Sequence, residues 1–227
     1  MKIIPVFQPI FNSLNGSYPS AEVLARWVNP VGKLFGPSNF GAVGVDWARV
    51  DIEIAQNLID MRSQINERFN RLFLNVSIET LKCEKSFSIW RRQVSKISNF
   101  MDGDLTIEIT EGVSPEVLEK RWCQIAECGV TFALDDYGTY HSDLERLKAY
   151  PWLFCKIDVD LLLDFNCCTD AQFCAKAGLN LIAEKVETKD QLELANEFSV
   201  FLQQGFIHHR PEVIQNIKSM KRIYENV

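Results

Sequence analysis

The chain lacks an apolar run of about 18 residues, the length a membrane-crossing helix needs, so no membrane span is expected. It also lacks a leader-like start. "MKIIPVFQPIFN" has one lysine and a short apolar run broken by proline, and reads as a first strand. There are seven cysteines but no Cys-x-x-Cys, and the neighbours Cys167 and Cys168 make a poor disulfide. A reduced, cytoplasmic protein is the expectation. A zinc site from Cys167, Cys168 and Cys174 does not suit ordinary ligand spacings. Positive charge is not in excess. A net charge of −6 argues against a broad duplex nucleic-acid surface, though not against a small anionic ligand held by a few local cations. No low-complexity linker, charge block or Gly/Ser hinge interrupts residues 1–227, which read as a single domain.

What is present is alternation. Eight β-rich runs recur: "PVFQPIF", "AEVLARWV", "RLFLNVS", "LTIEIT", "VTFALDD", "LFCKID", "LIAEKV" and "VFLQQGF". Helical patterns separate most of them, which argues for βα units. "DWARVDIEIAQNLIDMRSQI" reads as one long helix. Ser114-Pro115 starts another, with Leu118, Trp122 and Ile125 on one face and Gly129 past its end. Thr188 with Gln191, and Ser142 with Glu145, read as capping boxes. The fold class expected is α/β, a (β/α)8 TIM-like barrel with its site at the C-terminal strand ends. An open doubly wound sheet competes, but no glycine-rich phosphate loop follows the first strand.

The run "FALDDYGTYHSDL" sets two acids, Asp135 and Asp136, at the end of a buried strand. Two charges about 4 Å apart repel by about 4 kcal/mol at an effective dielectric of 20. A shared proton, a basic partner or a divalent cation must offset this. The other strand ends carry Glu22 and Arg26, Asn75, Glu108 with Glu111 beyond, Lys156 and Asp158, Glu184 and Glu187, and Gln204. In a barrel these meet in one mouth, with many carboxylates and few cations. Oxygen ligands without histidine or thiolate point to a hard ion, Mg2+ or Mn2+. More than four carboxylates leave room for two ions, an arrangement that activates water for phosphoryl displacement.

At these residues the chain resembles the EAL domain family of cyclic di-GMP phosphodiesterases. The blocks "FQPI", "AEVLARW", "LNVS", "IEIT-E", "DDYGT", "KID", "AEKVET" and "QQGFIHHRP" follow the family's order over nearly the whole chain. The resemblance implies a barrel with a reversed first strand. It implies a two-metal-activated water that opens cyclic di-GMP to linear pGpG. Glu22, Asn75, Glu108 and Asp135 would ligate one Mg2+ or Mn2+, and Asp135, Asp136 and Glu184 a second. Lys156 and Glu184 would be the catalytic side chains, with Lys156 positioning the water. Arg26 and the backbone near Leu24 would meet a substrate phosphate, Gln8 and Gln204 would line the pocket, and Glu111 and Glu187 would anchor the loop after the fifth strand.

The chain departs from the family in places. Tyr140-His141 replaces Gly-Tyr, and losing that glycine sets a side chain where positive φ costs about 1 kcal/mol or more. Lys185 replaces a glycine between Glu184 and Val186; it could pair with a metal-site carboxylate and weaken metal binding, or point outward, and strand alternation favours the outward direction. The segment "NFGAVGVDWARVD" and the stretch from Asp158 to Asn180 are shorter than usual, which leaves a homodimer and a protein partner both open. These departures support an alternative, a catalytically impaired domain that senses cyclic di-GMP or binds protein.

Overall fold

A computed structural model describes residues 2–39, 44–166 and 169–216. The chain opens with a hairpin of β1 (Lys2–Asn12) and β2 (Ser17–Val28), followed by a short β3 (Leu34–Phe35). Helices α1 (Trp47–Asp60) and α2 (Arg62–Asn66) lead to β4 (Arg71–Val76), then α3 (Ile78–Lys82) and α4 (Glu84–Phe100). Next come β5 (Leu105–Ile109), α5 (Pro115–Ala126), β6 (Thr131–Leu134), α6 (Leu144–Ala149) and β7 (Phe154–Asp158). Helices α7 (Leu162–Asn166) and α8 (Thr169–Ala177), β8 (Asn180–Glu184), α9 (Lys189–Glu197) and β9 (Leu202–Gln203) complete the order.

The strands close into a barrel. Their order is β1-β9-β8-β7-β6-β5-β4-β2, and the β1–β2 pairing shuts the ring, with β3 attached outside it to β2. β1 is antiparallel to both neighbours, while the remaining barrel pairs are parallel. The eight-stranded reading and the reversed first strand both hold, and closure excludes the open sheet. Closure matters physically because it leaves no barrel edge with unpaired backbone groups.

Two cores form. The larger lies between strands and helices. Leu118, Trp122 and Ile125 of α5 are buried there as their spacing predicts, and Trp122 stacks on Phe132 with ring centroids 3.9 Å apart. Each such aliphatic side chain contributes about 1.5–3 kcal/mol when fully buried. The smaller core fills the barrel itself with Ile10, Phe73, Ala133, Phe154 and Ile182. Below it Arg71 donates to both Thr106 and Thr131.

Three local readings change. The long helix breaks at Met61 into α1 and α2, with Asp46 capping α1 through the Arg49 amide. Asp143, not Ser142, caps α6 by accepting from the Arg146 amide, and the buried Ser142 hydroxyl has no hydrogen-bond partner. The carboxylate one residue closer to the helix is the better placed acceptor. The last strand is two residues long, not the full "VFLQQGF" run. The Thr188–Gln191 capping box is present as read. Cys167 and Cys168 lie outside the described residues. No helix among the described residues is long and apolar enough to cross a membrane.

Candidate active site at the barrel mouth

Period-two alternation builds the site. Each apolar residue of the inner core is followed, two positions towards the C-terminal mouth, by a polar one. Phe73 precedes Asn75, Ala133 precedes Asp135, Phe154 precedes Lys156, and Ile182 precedes Glu184. Because β1 runs the other way, its order is inverted: Gln8 comes before Ile10 and pairs in register with Glu22. An apolar floor thus excludes water below a polar ring.

The ring converges on one ammonium. Lys156 Nζ lies 2.9 Å from Glu108 Oε1, Asp135 Oδ1 and Glu184 Oε1, and 3.4 Å from Glu22 Oε2. Asn75 Nδ2 donates to Glu22 Oε1 at 2.8 Å, and Gln204 Nε2 donates to Glu22 Oε2 at 2.7 Å and to Gln8 Oε1 at 3.3 Å. Gln8 in turn donates to the His209 carbonyl. The structure therefore brings together Gln8, Glu22, Asn75, Glu108, Asp135, Lys156, Glu184 and Gln204.

Burial and neighbouring charge divide these acids. Burial, reinforced by the Glu22 charge, raises the Glu108 carboxyl well above the ordinary range. Burial likewise pushes Glu184 up to about 7. Burial also acts on Glu22, but Lys156 and the bonds from Gln204 and Asn75 outweigh it and hold Glu22 low. Lys156 is disfavoured by burial, yet Asp135, Glu108, Glu184 and Glu22 together keep it firmly charged. One ammonium and retained protons thus offset the crowding.

Does this donor set fit a hard cation? Both Glu108 oxygens are buried without a hydrogen-bond partner; Oε1 has only its ion pair with Lys156. Such unpartnered oxygens are costly and suit a cation. Among the described residues no three Asp, Glu, His or Cys groups already form a coordination shell, since the carboxylates point at Lys156. The chemistry of the donors, carboxylates and one amide, fits Mg2+ or Mn2+.

The remaining predicted residues lie at the rim. A cavity of about 480 Å3 is lined by Leu24, Arg26, Asn75 and Glu111, among others. A second, of about 210 Å3, is lined by Gln8, Glu22, Leu24, Glu184, Glu187 and Gln204. Leu24 borders both, so the mouth is a two-lobed cleft. Asp136 also stands at the rim. It adopts φ 45, which breaks the strand alternation as the chain leaves β6. Burial, then the charge of Asp135, raises its carboxyl. The loop that follows is closed by its own bonds, including Gly138 N to the Ser142 carbonyl at 2.7 Å and Thr139 Oγ1 to the Asp136 carbonyl at 2.7 Å. Tyr140 sits at φ 39 and is 88% exposed, so the expected left-handed residue is there without packing to compensate it.

Sequence reasoning missed Asp51 and misjudged the direction of Lys185. Asp51 of α1 lines the larger cavity, where its Oδ2 accepts from Ser77 N, Ser77 Oγ and Thr80 Oγ1 at 2.6–2.9 Å. Burial pushes this carboxyl up to about 6. The signal was an acid at helical spacing among the buried Ala48, Ile54, Ala55 and Leu58. Lys185 does not face outward as alternation expects: its φ of 56 breaks the strand after Glu184, and the exposed side chain turns to the mouth, where its Nζ lies 2.7 Å from Asp158 Oδ2 and 3.8 Å from Asp136 Oδ1. Its φ of 56 explains the fit of glycine at that position.

The fold and mouth define a closed β/α barrel with a carboxylate-rich cleft at the C-terminal ends of its strands. Residues 1–211 match the EAL domain, and the chain belongs to that family. It is 28% identical to "Probable cyclic di-GMP phosphodiesterase PdeG" of Escherichia coli strain K12, covering 92% of this chain and 45% of that protein. The chain spans less than two thirds of the length of its first curated relatives. Among solved structures it resembles Bacillus subtilis YkuI, with an EAL domain, in complex with substrate c-di-GMP and calcium. That match has TM-score 0.77 and 21% identity, over 92% of this chain and 56% of YkuI. It also resembles a manganese and cyclic-diGMP complex of Klebsiella pneumoniae BlrP1, with TM-score 0.76 and 20% identity, over 94% of this chain and 57% of BlrP1. At these identities the structural likeness shows the fold.

Proposed function

We propose that the chain is a metal-dependent phosphodiesterase that opens one phosphodiester of cyclic di-GMP to give linear pGpG. The observation that carries this reading is the convergence of Glu22, Glu108, Asp135 and Glu184 on a single buried ammonium, with Asp136 at the rim of the same mouth. The similarity to PdeG, named a probable cyclic di-GMP phosphodiesterase, and to the cyclic di-GMP complexes of YkuI and BlrP1 supports it.

Glu22, Asn75, Glu108 and Asp135 would hold one Mg2+ or Mn2+, and Asp135, Asp136 and Glu184 a second. Such ions supply activation of the attacking water and neutralise charge on the phosphoryl group. Lys156, buried and charged, orients the water and stabilises developing negative charge. Asn75 and Gln204 fix the Glu22 carboxylate from opposite sides. Arg26 and the backbone at Leu24 would hold a phosphate between the two lobes, which Gln8 and Gln204 line on one side. Glu111 and Glu187, one in each cavity, would steady the loop after β6. The odd cysteine count suits a reducing, cytoplasmic setting.

The test is incubation of the protein with cyclic di-GMP and Mg2+ or Mn2+, read by chromatography. pGpG should appear, and Glu22→Ala should abolish it. No product from protein with confirmed metal occupancy rejects the proposal. One observation favours a second reading, nucleotide binding without hydrolysis: Asp136, Tyr140 and Lys185 all hold left-handed backbone around the second ion's ligands. Tight binding in EDTA with no product would favour that reading.

A further inference from the structure

We propose that Lys185 is a tethered cation that competes with the second divalent ion for Asp136, so that this chain fills its first cation position well before its second. The inference rests on the two-ion reading above and goes beyond it, because it concerns a side chain outside the ligand set.

The root of Lys185 is fixed. The next residue, Val186, donates its amide to the Gln204 carbonyl at 3.1 Å and accepts from the Ile207 amide at 3.1 Å. Gly205 packs so close that a Cβ there would overlap the Val186 backbone. The residue at 185 is therefore held at φ 56 and cannot swing its Cα away from the mouth. From that root the side chain crosses the end of β7. It bonds Asp158 at 2.7 Å, and its ammonium stands 3.8 Å from Asp136 Oδ1. Asp158, outside the assigned ligands but in register with Glu184, thus anchors the ammonium beside one ligand of the second ion, Asp136, while the backbone of Lys185 adjoins another, Glu184. The same Lys185 also lines the smaller cavity beside Glu184 and Glu22.

An ammonium at that point acts in two ways. It satisfies part of the Asp136 charge, which lowers the gain from a metal there, and it repels an incoming divalent ion. The first position shares Asp135 with the second but takes Glu22, Asn75 and Glu108 from β2, β4 and β5, and the Lys185 ammonium pairs with Asp158 and Asp136 instead of these three, so that position feels the lysine less. Exposure of the lysine screens the effect, so a moderate change in affinity is expected and not loss of the site.

The experiment is a Mn2+ titration of the metal-free full chain without nucleotide, with free Mn2+ read by electron paramagnetic resonance. Wild type is compared with Lys185→Gly, Lys185→Asn and Lys185→Arg. Glycine and asparagine both tolerate left-handed backbone and both remove the charge; arginine keeps the charge. Wild type should show one tight and one weak Mn2+. Glycine and asparagine should each tighten the weak one at least five-fold and leave the tight one within two-fold, while arginine matches wild type. Any other pattern overturns the proposal. Tightening by glycine alone would assign the effect to backbone strain. Mn2+ binding that ignores position 185 would sink this inference but leave the proposed function standing, whereas no Mn2+ bound by any of the four proteins would overturn both.

Discussion

Replacing Lys156 by methionine removes the one positive charge at the centre of the acidic ring and keeps the volume of its stem. Three carboxylate oxygens lie 2.9 Å from Nζ and a fourth 3.4 Å. One contact at 2.9 Å is worth about 6 kcal/mol at an effective dielectric of 20, before desolvation. The four do not sum, because every partner is already buried and Glu108 and Glu184 retain protons readily. Breaking one side of a buried ion pair costs about 3–5 kcal/mol, and that is the loss expected here in EDTA at pH 8. The sign with pH follows from the carboxyls. Burial raises Glu108 and Glu184 and Lys156 acts against that rise, so without the lysine these two stay raised; their contribution is intact below about pH 4, the unfolded range, and falls as pH rises through the folded values. The gap from wild type should therefore narrow towards pH 5. A divalent ion should replace the missing charge: at about 100 times its dissociation constant it adds about 2.7 kcal/mol. Urea unfolding of both proteins, in EDTA and in Mn2+, measures all of this. A loss below about 1 kcal/mol in EDTA, or a Mn2+ gain no larger than wild type's, refutes the electrostatic account of the mouth.

Two further outcomes are expected elsewhere. Gly205→Ala places a Cβ inside the Val186 backbone, which neither neighbour can yield without breaking the Gln204 carbonyl bond; a loss of about 4 kcal/mol or more is expected in urea unfolding, and a loss under about 1 kcal/mol would show that the two segments move apart freely. Asp51, raised to about 6 by burial, binds more protons folded than unfolded. Its contribution is thus complete below about pH 4 and lost as pH rises through about 6, amounting to about 3 kcal/mol. Wild-type stability should fall relative to Asp51→Asn by about that amount between pH 4 and pH 8, and parallel pH curves would rule this out.

The strand pattern, the acids at strand ends and the ordered motif blocks were legible in the chain because each depends on near neighbours. Alternation alone places Phe73 below Asn75 and Ile182 below Glu184, whatever the rest of the molecule does. The glycine-to-lysine change at 185 was visible too, and so was the cost of a non-glycine residue at 140. What the sequence left open is which charges meet. Lys156 and Glu22 are 134 positions apart, Gln204 and Glu22 182, and only closure of the barrel, with the β1–β2 hairpin paired to β9 on one side and to β4 on the other, brings them within bonding distance. The grip of Lys185 on Asp158, the donors gathered around Asp51 and the capping of α6 by Asp143 also belong to the tertiary structure. Local period and propensity choose the elements, but a charge feels whatever lies within a few ångströms, and the folded chain alone decides what that is.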